Sequence, residues 1–249
     1  MSRTEASTVA TSGIGHANIL AGKRVLITGA SSGIGAATAR ALAAAGADVL
    51  ATGRNRGALA ELTGMETLSG DLTDPAFPAA LVDRAGDIDV LVANAGRLKH
   101  AAFLDGNQED WRAVFEVNVL ATLTLLQVVG RRMVARGAGH IVLVSSLLAR
   151  RVARNTMVYA ASKHAVAAIA AGLRLELGPA GIRVTEVAPG LVQTSIFRDV
   201  DDVAVQASYA AMDFAFLQPE DIAAAILAAV VTRREVSTDL IELRPSGQP

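Results

Sequence analysis

Seven short aliphatic runs separated by helical stretches predict an α/β chain built on one doubly wound parallel sheet of seven strands, with helices on both faces. Two further observations support this. A glycine-rich turn directly follows the first run, and the composition is 51% hydrophobic but only 4% aromatic, so the core must be aliphatic and alanine-rich. Buried parallel strands read as continuous Val/Ile/Leu runs instead of alternating ones. In order, the strands are expected at residues 24–28, 48–52, 66–69, 89–93, 140–145, 183–188 and 240–243. The clearest helices are expected at 34–45, 108–136, 157–177 and 219–232, the last opening on Pro219, Glu220 and Asp221, a proline and two acids suited to a first turn.

A length of 249 residues suits one such unit, and no linker divides residues 21–249, which are expected to form a single domain. The net charge of −1 and the scattered arginines argue against a nucleic-acid partner. Cysteine is absent, which removes disulfides and thiolate metal sites. His16, His100, His140 and His164 lack ligand spacing, so no metal is expected. Residues 1–20, rich in Ser, Thr, Ala and Gly, read as a disordered leader and not a signal peptide. No uncharged apolar run approaches the ~18 residues that span a bilayer, so a cytoplasmic location without a membrane partner is expected.

Gly29, Ser31, Ser32, Gly33, Ile34 and Gly35 lie between the first strand and the first helix. Glycines there allow a tight turn and close backbone approach, and a helix N-terminus offers N–H groups and a positive dipole end to a pyrophosphate. That context predicts a Rossmann-type dinucleotide site, although the spacing is Gly-x-x-x-Gly-x-Gly. Ser12-Gly13-Ile14-Gly15 repeats part of the motif but follows no strand, and reads as a decoy. The second strand ends in Thr52-Gly53-Arg54 with no acid to hold a ribose 2′-hydroxyl. Arg54 can pair with a 2′-phosphate, so NADP(H) is favoured over NAD(H).

Tyr159 and Lys163 stand four apart on one expected helix and so share a face, with Ser146 at the end of the fifth strand. A free phenol has a pKa near ~10, and a neighbouring ammonium stabilises the phenolate. The set reads as hydride-transfer chemistry, with Tyr159 exchanging a proton with a substrate oxygen and Ser146 hydrogen-bonding that oxygen.

Together these motifs resemble the classical short-chain dehydrogenase/reductase family from about Ala21 onward, with Asp71, Leu72, Asn94, Ala95, Gly96, Asn118, Pro189, Gly190 and Thr194 falling in register with the others. The resemblance implies that Asp71 and Leu72 flank the adenine, that Asn94, Ala95 and Gly96 line the cofactor on the fourth strand, and that Thr194 holds the nicotinamide amide, with Pro189 and Gly190 also binding the cofactor. It further implies that Lys163 binds ribose hydroxyls and that Asn118 holds a water linking Lys163 to solvent. A homodimer or homotetramer built on the 108–136 and 157–177 helices is likewise implied. Ala93 and Ala149 depart from the common pattern. The 241–245 tail, Arg154-Asn155 and Arg183-Val184-Thr185 resemble a branch that includes 3-hydroxy acid dehydrogenases and clavulanic acid dehydrogenase.

The expected activity is NADP(H)-dependent reduction of a ketone or aldehyde, or the reverse oxidation of an alcohol. Two alternatives stand beside it: an NAD-dependent hydroxy-acid or alcohol dehydrogenase, and a non-catalytic dinucleotide-binding sensor or scaffold. Residues 193–218, after a strand end, are a candidate substrate-side lid. Ala101, Phe103, Leu147, Leu148, Phe197 and Phe214 are candidate pocket walls, while Arg150, Arg151 and Arg154 read as a solvated loop.

Overall fold

A computed structural model describes residues 18–194, 207 and 211–248 of the chain. Its strands are β1 (Arg24–Thr28), β2 (Asp48–Gly53), β3 (Glu66–Ser69), β4 (Val90–Ala93), β5 (Gly139–Val144), β6 (Ile182–Pro189) and β7 (Leu240–Leu243). All pair in parallel as one sheet in the order β3-β2-β1-β4-β5-β6-β7. The order reverses between β1 and β4, which opens a crevice beyond the carboxyl ends of those strands.

The helices are α1 (Gly33–Ala44), α2 (Arg56–Ala60), α3 (Phe77–Ala85), α4 (Gln108–Phe115), α5 (Thr122–Arg136), α6 (Met157–Leu177) and α7 (Pro219–Val231). Successive strand side chains point to opposite faces, so each aliphatic strand feeds two cores. Val25, Ile27, Val49 and Val92 meet Ala39 and Leu42 of α1 and Ile222 and Ile226 of α7. Leu26, Leu50, Leu91 and Leu143 meet Leu81 of α3, Leu125 and Met133 of α5, and Val166 of α6. The expected first turn of α7 is closed by Asp221, whose carboxylate accepts from the Gln218 N–H at 2.7 Å.

The stretch 108–136 is helical throughout, as expected, but adopts π winding at Glu116–Ala121 between α4 and α5. Thr122 donates its hydroxyl to the Val117 carbonyl five residues back, at 3.3 Å. By length and composition Gln108–Arg136 could cross a membrane; half of its most apolar window is buried inside the protein, which makes those residues core.

Residues 1–17, with the decoy glycines, lie outside the described residues. The last part of the expected leader is packed: Asn18–Leu20 form a turn, Leu20 is buried, and its N–H donates to Ala45 at 2.8 Å.

Candidate active site

One cavity of about 760 Å³ runs along the carboxyl ends of β1, β2, β4, β5 and β6. It gathers residues from seven motifs: Gly29 and the 31–34 turn, Arg54, Asp71 with Leu72, Asn94 to Gly96, Ser146, Tyr159 with Lys163, and Pro189 with Gly190 and Thr194. Two of the expected site residues, Gly35 and Asn118, act from behind this lining.

Sterics explain the glycine turn. Gly29 has φ +65°, and a Cβ there would lie 2.8 Å from the Ala95 Cα. At Gly35 a Cβ would lie 2.3 Å from the Gly29 carbonyl oxygen, closer than any side chain tolerates. The Asn94 side chain holds this turn against β4 by donating Nδ2 to the carbonyls of Thr28 and Gly29 at 3.1 and 3.2 Å. Thr28 Oγ1 in return accepts from the N–H groups of Asn94 and Ala95 at 3.1 Å each. The Asn94 side chain is therefore structural, although the residue also lines the cavity.

The residues present fit a dinucleotide. The α1 N-terminus opens onto the cavity, its N-cap Ser32 makes no side-chain capping bond, and no acid occupies its first turn. An anion there would therefore meet a positive dipole end with no acid in the first turn. Arg54 lines the same end of the cavity. Asp71 accepts from the Thr73 N–H and hydroxyl at 2.9 and 2.8 Å. The Thr73 backbone bond chiefly holds its carboxyl below the usual range; burial opposes this, and the Thr73 hydroxyl and the Arg54 charge assist.

At the other end, α6 presents Tyr159 and Lys163 to the cavity, 9% and 5% exposed, with Nζ 5.7 Å from the ring centroid. Lys163 donates to the Val144 carbonyl at 2.9 Å, which uses one of its three N–H groups. Burial pushes its ammonium from 10.5 down to about 8, and the Glu186 charge acts in the opposite direction. Ser146 Oγ accepts from the Leu148 N–H at 3.1 Å and starts the 3₁₀ turn Leu147–Ala149. Its hydroxyl hydrogen stays available to a ligand oxygen.

Asn118, 1% exposed and inside the π segment, clips the loop after β4 to α6. Its Oδ1 accepts from Arg97 N–H at 2.7 Å, and its Nδ2 donates to Arg97 O at 2.9 Å and Ser162 Oγ at 3.0 Å. A Cβ on Gly96 would lie 3.5 Å from Asn118 Oδ1 and 3.6 Å from Lys163 Nζ, so the amide and the ammonium border the same small space. π turns recur at functional sites because they redirect one side chain.

Several expected walls are elsewhere. Leu147 and Leu148 line the cavity, but Ala101 and Phe103 border a separate small pocket, and Phe103 stacks on Trp111 with centroids 6.0 Å apart. Phe214 packs against Gly247, and Phe197 lies outside the described residues. Leu98, His100, Met212 and Gln248 line the cavity instead, placed there by tertiary packing with no local signal in the sequence. Arg150 is not a solvated loop residue: it pairs with Glu186 at 2.7 Å. Arg151 and Arg154 line the cavity.

The sequence profile described as short chain dehydrogenase matches residues 23–204. An uncharacterized oxidoreductase of Staphylococcus saprophyticus is 35% identical over 236 residues, 90% of this chain and 97% of that protein. Among solved structures, a serine dehydrogenase in its closed form complexed with NADP+ is similar with TM-score 0.85 and 27% identity, covering 90% of this chain and 96% of that one. A candidate NAD(P)-dependent gluconate 5-dehydrogenase from Beutenbergia cavernae, with NADP bound at low occupancy, gives 0.79 and 33% over 92% and 96% of the two chains.

Proposed function

We propose that this chain, which belongs to the short-chain dehydrogenase family and is an oxidoreductase, interconverts a carbonyl and a secondary alcohol with NADP(H), Tyr159 serving as general acid and base. The observation that carries this reading is that Ser146, Tyr159 and Lys163 line the same cavity as the glycine turn. Bound there, the nicotinamide supplies or accepts a hydride. In the reducing direction the Ser146 hydroxyl orients the substrate oxygen, and Tyr159 gives that oxygen its proton. Lys163 offsets the negative charge left on the phenol and has two remaining N–H groups for ribose hydroxyls. Asn118 fixes the loop beside Lys163 and borders the space where a water could relay a proton.

The α1 N-terminus would hold the pyrophosphate, Asp71 and Leu72 the adenine, and Gly190 with Thr194 the nicotinamide side. Preference for NADP(H) is supported by Arg54 at the cavity wall without an acid at the end of β2, and by NADP in the two similar structures. Of the candidate cover, residues 193–218, positions 195–206 and 208–210 lie outside the described residues; of the rest, Gln193 N–H donates to Leu217 O at 2.8 Å and Met212 lines the cavity, which supports a place for its ends on the substrate side. Exposed Phe115, Leu120 and Leu123 along the 108–136 helix support a homodimer or homotetramer, which sedimentation tests. The cytoplasm is the proposed location.

A second observation favours a substrate bearing a carboxylate, in keeping with the hydroxy-acid alternative. Apart from Asp71 at the adenine end, the charged side chains among the described lining residues are basic; with Arg54 and Lys163 given to the cofactor and Arg97 paired with Asp110 at 3.0 Å, Arg154 remains beside His100 and Arg151. Turnover of a keto acid should exceed that of the matching neutral ketone. Tyr159→Phe tests the main reading: the dinucleotide should still bind while turnover falls about 10²- to 10⁴-fold. A folded variant with wild-type turnover would sink it and leave the sensor reading standing.

A further inference from the structure

β6 is buried along most of its length, yet it carries Glu186, whose side chain is 2% exposed. A carboxylate so desolvated is costly unless it is paired and hydrogen-bonded. Ser145 Oγ donates to Oε1 at 2.5 Å, and Arg150 donates through Nη1 to Oε1 at 3.0 Å and through Nη2 to Oε2 at 2.7 Å. The guanidinium is braced on its other side by Glu242 of β7, 3.6 Å from Nε. Burial alone would raise the Glu186 carboxyl; the Arg150 and Ser145 bonds, with the charges of Arg150 and Arg174, outweigh it and keep the group ionised.

The two partners sit at opposite ends of one short strap. Ser145 comes immediately before Ser146, and Arg150 comes immediately after the turn Leu147–Ala149. The sheet already holds the entry to this strap, because Ser145 N–H donates to Val187 O at 2.8 Å. Among the described residues, no sheet bond holds its exit. Residues 145–150 contain no glycine, and among the described residues the backbone of the turn makes only local bonds: Leu148 N–H to Ser146 Oγ at 3.1 Å, Ala149 N–H to Ser146 O at 2.9 Å and Arg150 N–H to Leu147 O at 3.1 Å. The Arg150–Glu186 bridge ties the exit of the strap back to the strand beside its entry.

We propose that Glu186 is a positioning residue for Ser146, its carboxylate stapling both ends of the 146–149 strap so that the serine hydroxyl stays aimed into the cavity. This rests on the assignment of Ser146 as the donor to the substrate oxygen. The staple acts across β5 and β6 and does not touch the glycine turn; the Glu186 charge also reaches Lys163, whose ammonium it supports.

A double-mutant cycle between Glu186→Gln and Ser146→Ala tests it. Glu186→Gln alone should lower kcat by about 10- to 100-fold, the scale of a misplacement near 1 Å, with dinucleotide affinity by fluorescence titration changed far less than kcat. Amide exchange should quicken at residues 148–150 and stay unchanged in β5. In the Ser146→Ala background the same substitution should cost far less kcat than it does in the wild type. Equal cost in both backgrounds, or a folded Glu186→Gln protein with wild-type kcat and exchange, overturns the staple. A Ser146→Ala enzyme with full kcat overturns both the serine assignment and the staple, whereas a slow Ser146→Ala enzyme with additive effects overturns the staple alone. If Glu186→Gln fails to fold, Ser145→Ala removes one arm while keeping the ion pair; it should show a smaller kcat loss with the same dependence on Ser146, and additivity there is equally fatal.

Discussion

Replacing Lys163 by methionine should stabilise the protein while disabling it. The ammonium is 5% exposed, and burial carries its pKa from 10.5 to about 8. That displacement of about 2.5 pH units, at about 1.36 kcal/mol each, means the charged lysine costs the folded state roughly 3 kcal/mol at neutral pH. The penalty is fully present below pH 8, where both states are protonated. Between about pH 8 and 10.5 the unfolded chain binds the proton and the folded protein does not, so wild-type stability rises with pH and the penalty fades. Methionine loses the bond to the Val144 carbonyl, which costs about 1 kcal/mol, leaving a net gain of roughly 2 kcal/mol. For a chain of this size that corresponds to a Tm increase of roughly 4–8 °C. Thermal melts of dinucleotide-free wild type and Lys163→Met at pH 6.5 and pH 10 provide the assay, and most of the gap should vanish at the higher pH. A variant that melts no higher than wild type at pH 6.5, or whose advantage is the same at both pH values, refutes the claim that lysine burial is a functional strain.

Other consequences are equally open to measurement. Arg54→Ser should raise the KM for NADPH about 10- to 100-fold, the worth of a charged hydrogen bond, with little effect on NADH; parallel changes for both cofactors would remove Arg54 from the 2′-phosphate. Gly35→Ala places a Cβ 2.3 Å from the Gly29 oxygen, so melting should show a loss of about 1–3 kcal/mol and dinucleotide titration a weaker complex. His140 is buried, bonded through Nε2 to Thr185 Oγ1 at 2.8 Å, and pushed from 6.5 down to about 3 by burial and the Arg183 charge. Its folded pKa is depressed, so stability is intact above pH 6.5 and falls as the pH drops toward 3. His140→Gln should flatten that slope in denaturant titrations between pH 4 and 7; an unchanged slope would place the acid sensitivity elsewhere.

The strands lie within a residue or two of where aliphatic runs and turn residues put them, because β6 or α6 is specified by a pattern its own segment carries. Arg24–Thr28, Glu66–Ser69 and Met157–Leu177 match at both ends. The principal side chains were legible for a related reason: Gly29, Asn94, Ser146 and Pro189 each close or follow a strand, and a parallel sheet brings those ends to one edge. Phe103 and Phe214 misled because an aromatic residue in a loop carries no mark of which neighbour it will find. Glu186 did carry a mark, since an acid inside the aliphatic run 182–189 must have a buried partner, but nothing local names Arg150, 36 positions earlier. The π winding at Glu116–Ala121 is of the same kind, coinciding with Asn118 bonded away from its own helix to Arg97 and Ser162.

Local features of the chain settled the succession of strands and helices, the glycine turn between β1 and α1, and the pairing of Tyr159 with Lys163 on one helical face. These depend on backbone periodicity, sterics at glycine and a four-residue spacing, all short-range in the chain. Which groups surround that pair emerges only in the folded chain: the burial that depresses Lys163, the Glu186 carboxylate joining Ser145 to Arg150, and the arginines that line the cavity. Desolvation and charge pairing depend on distances in space between residues far apart in the chain, and those distances exist only once the sheet has closed around them.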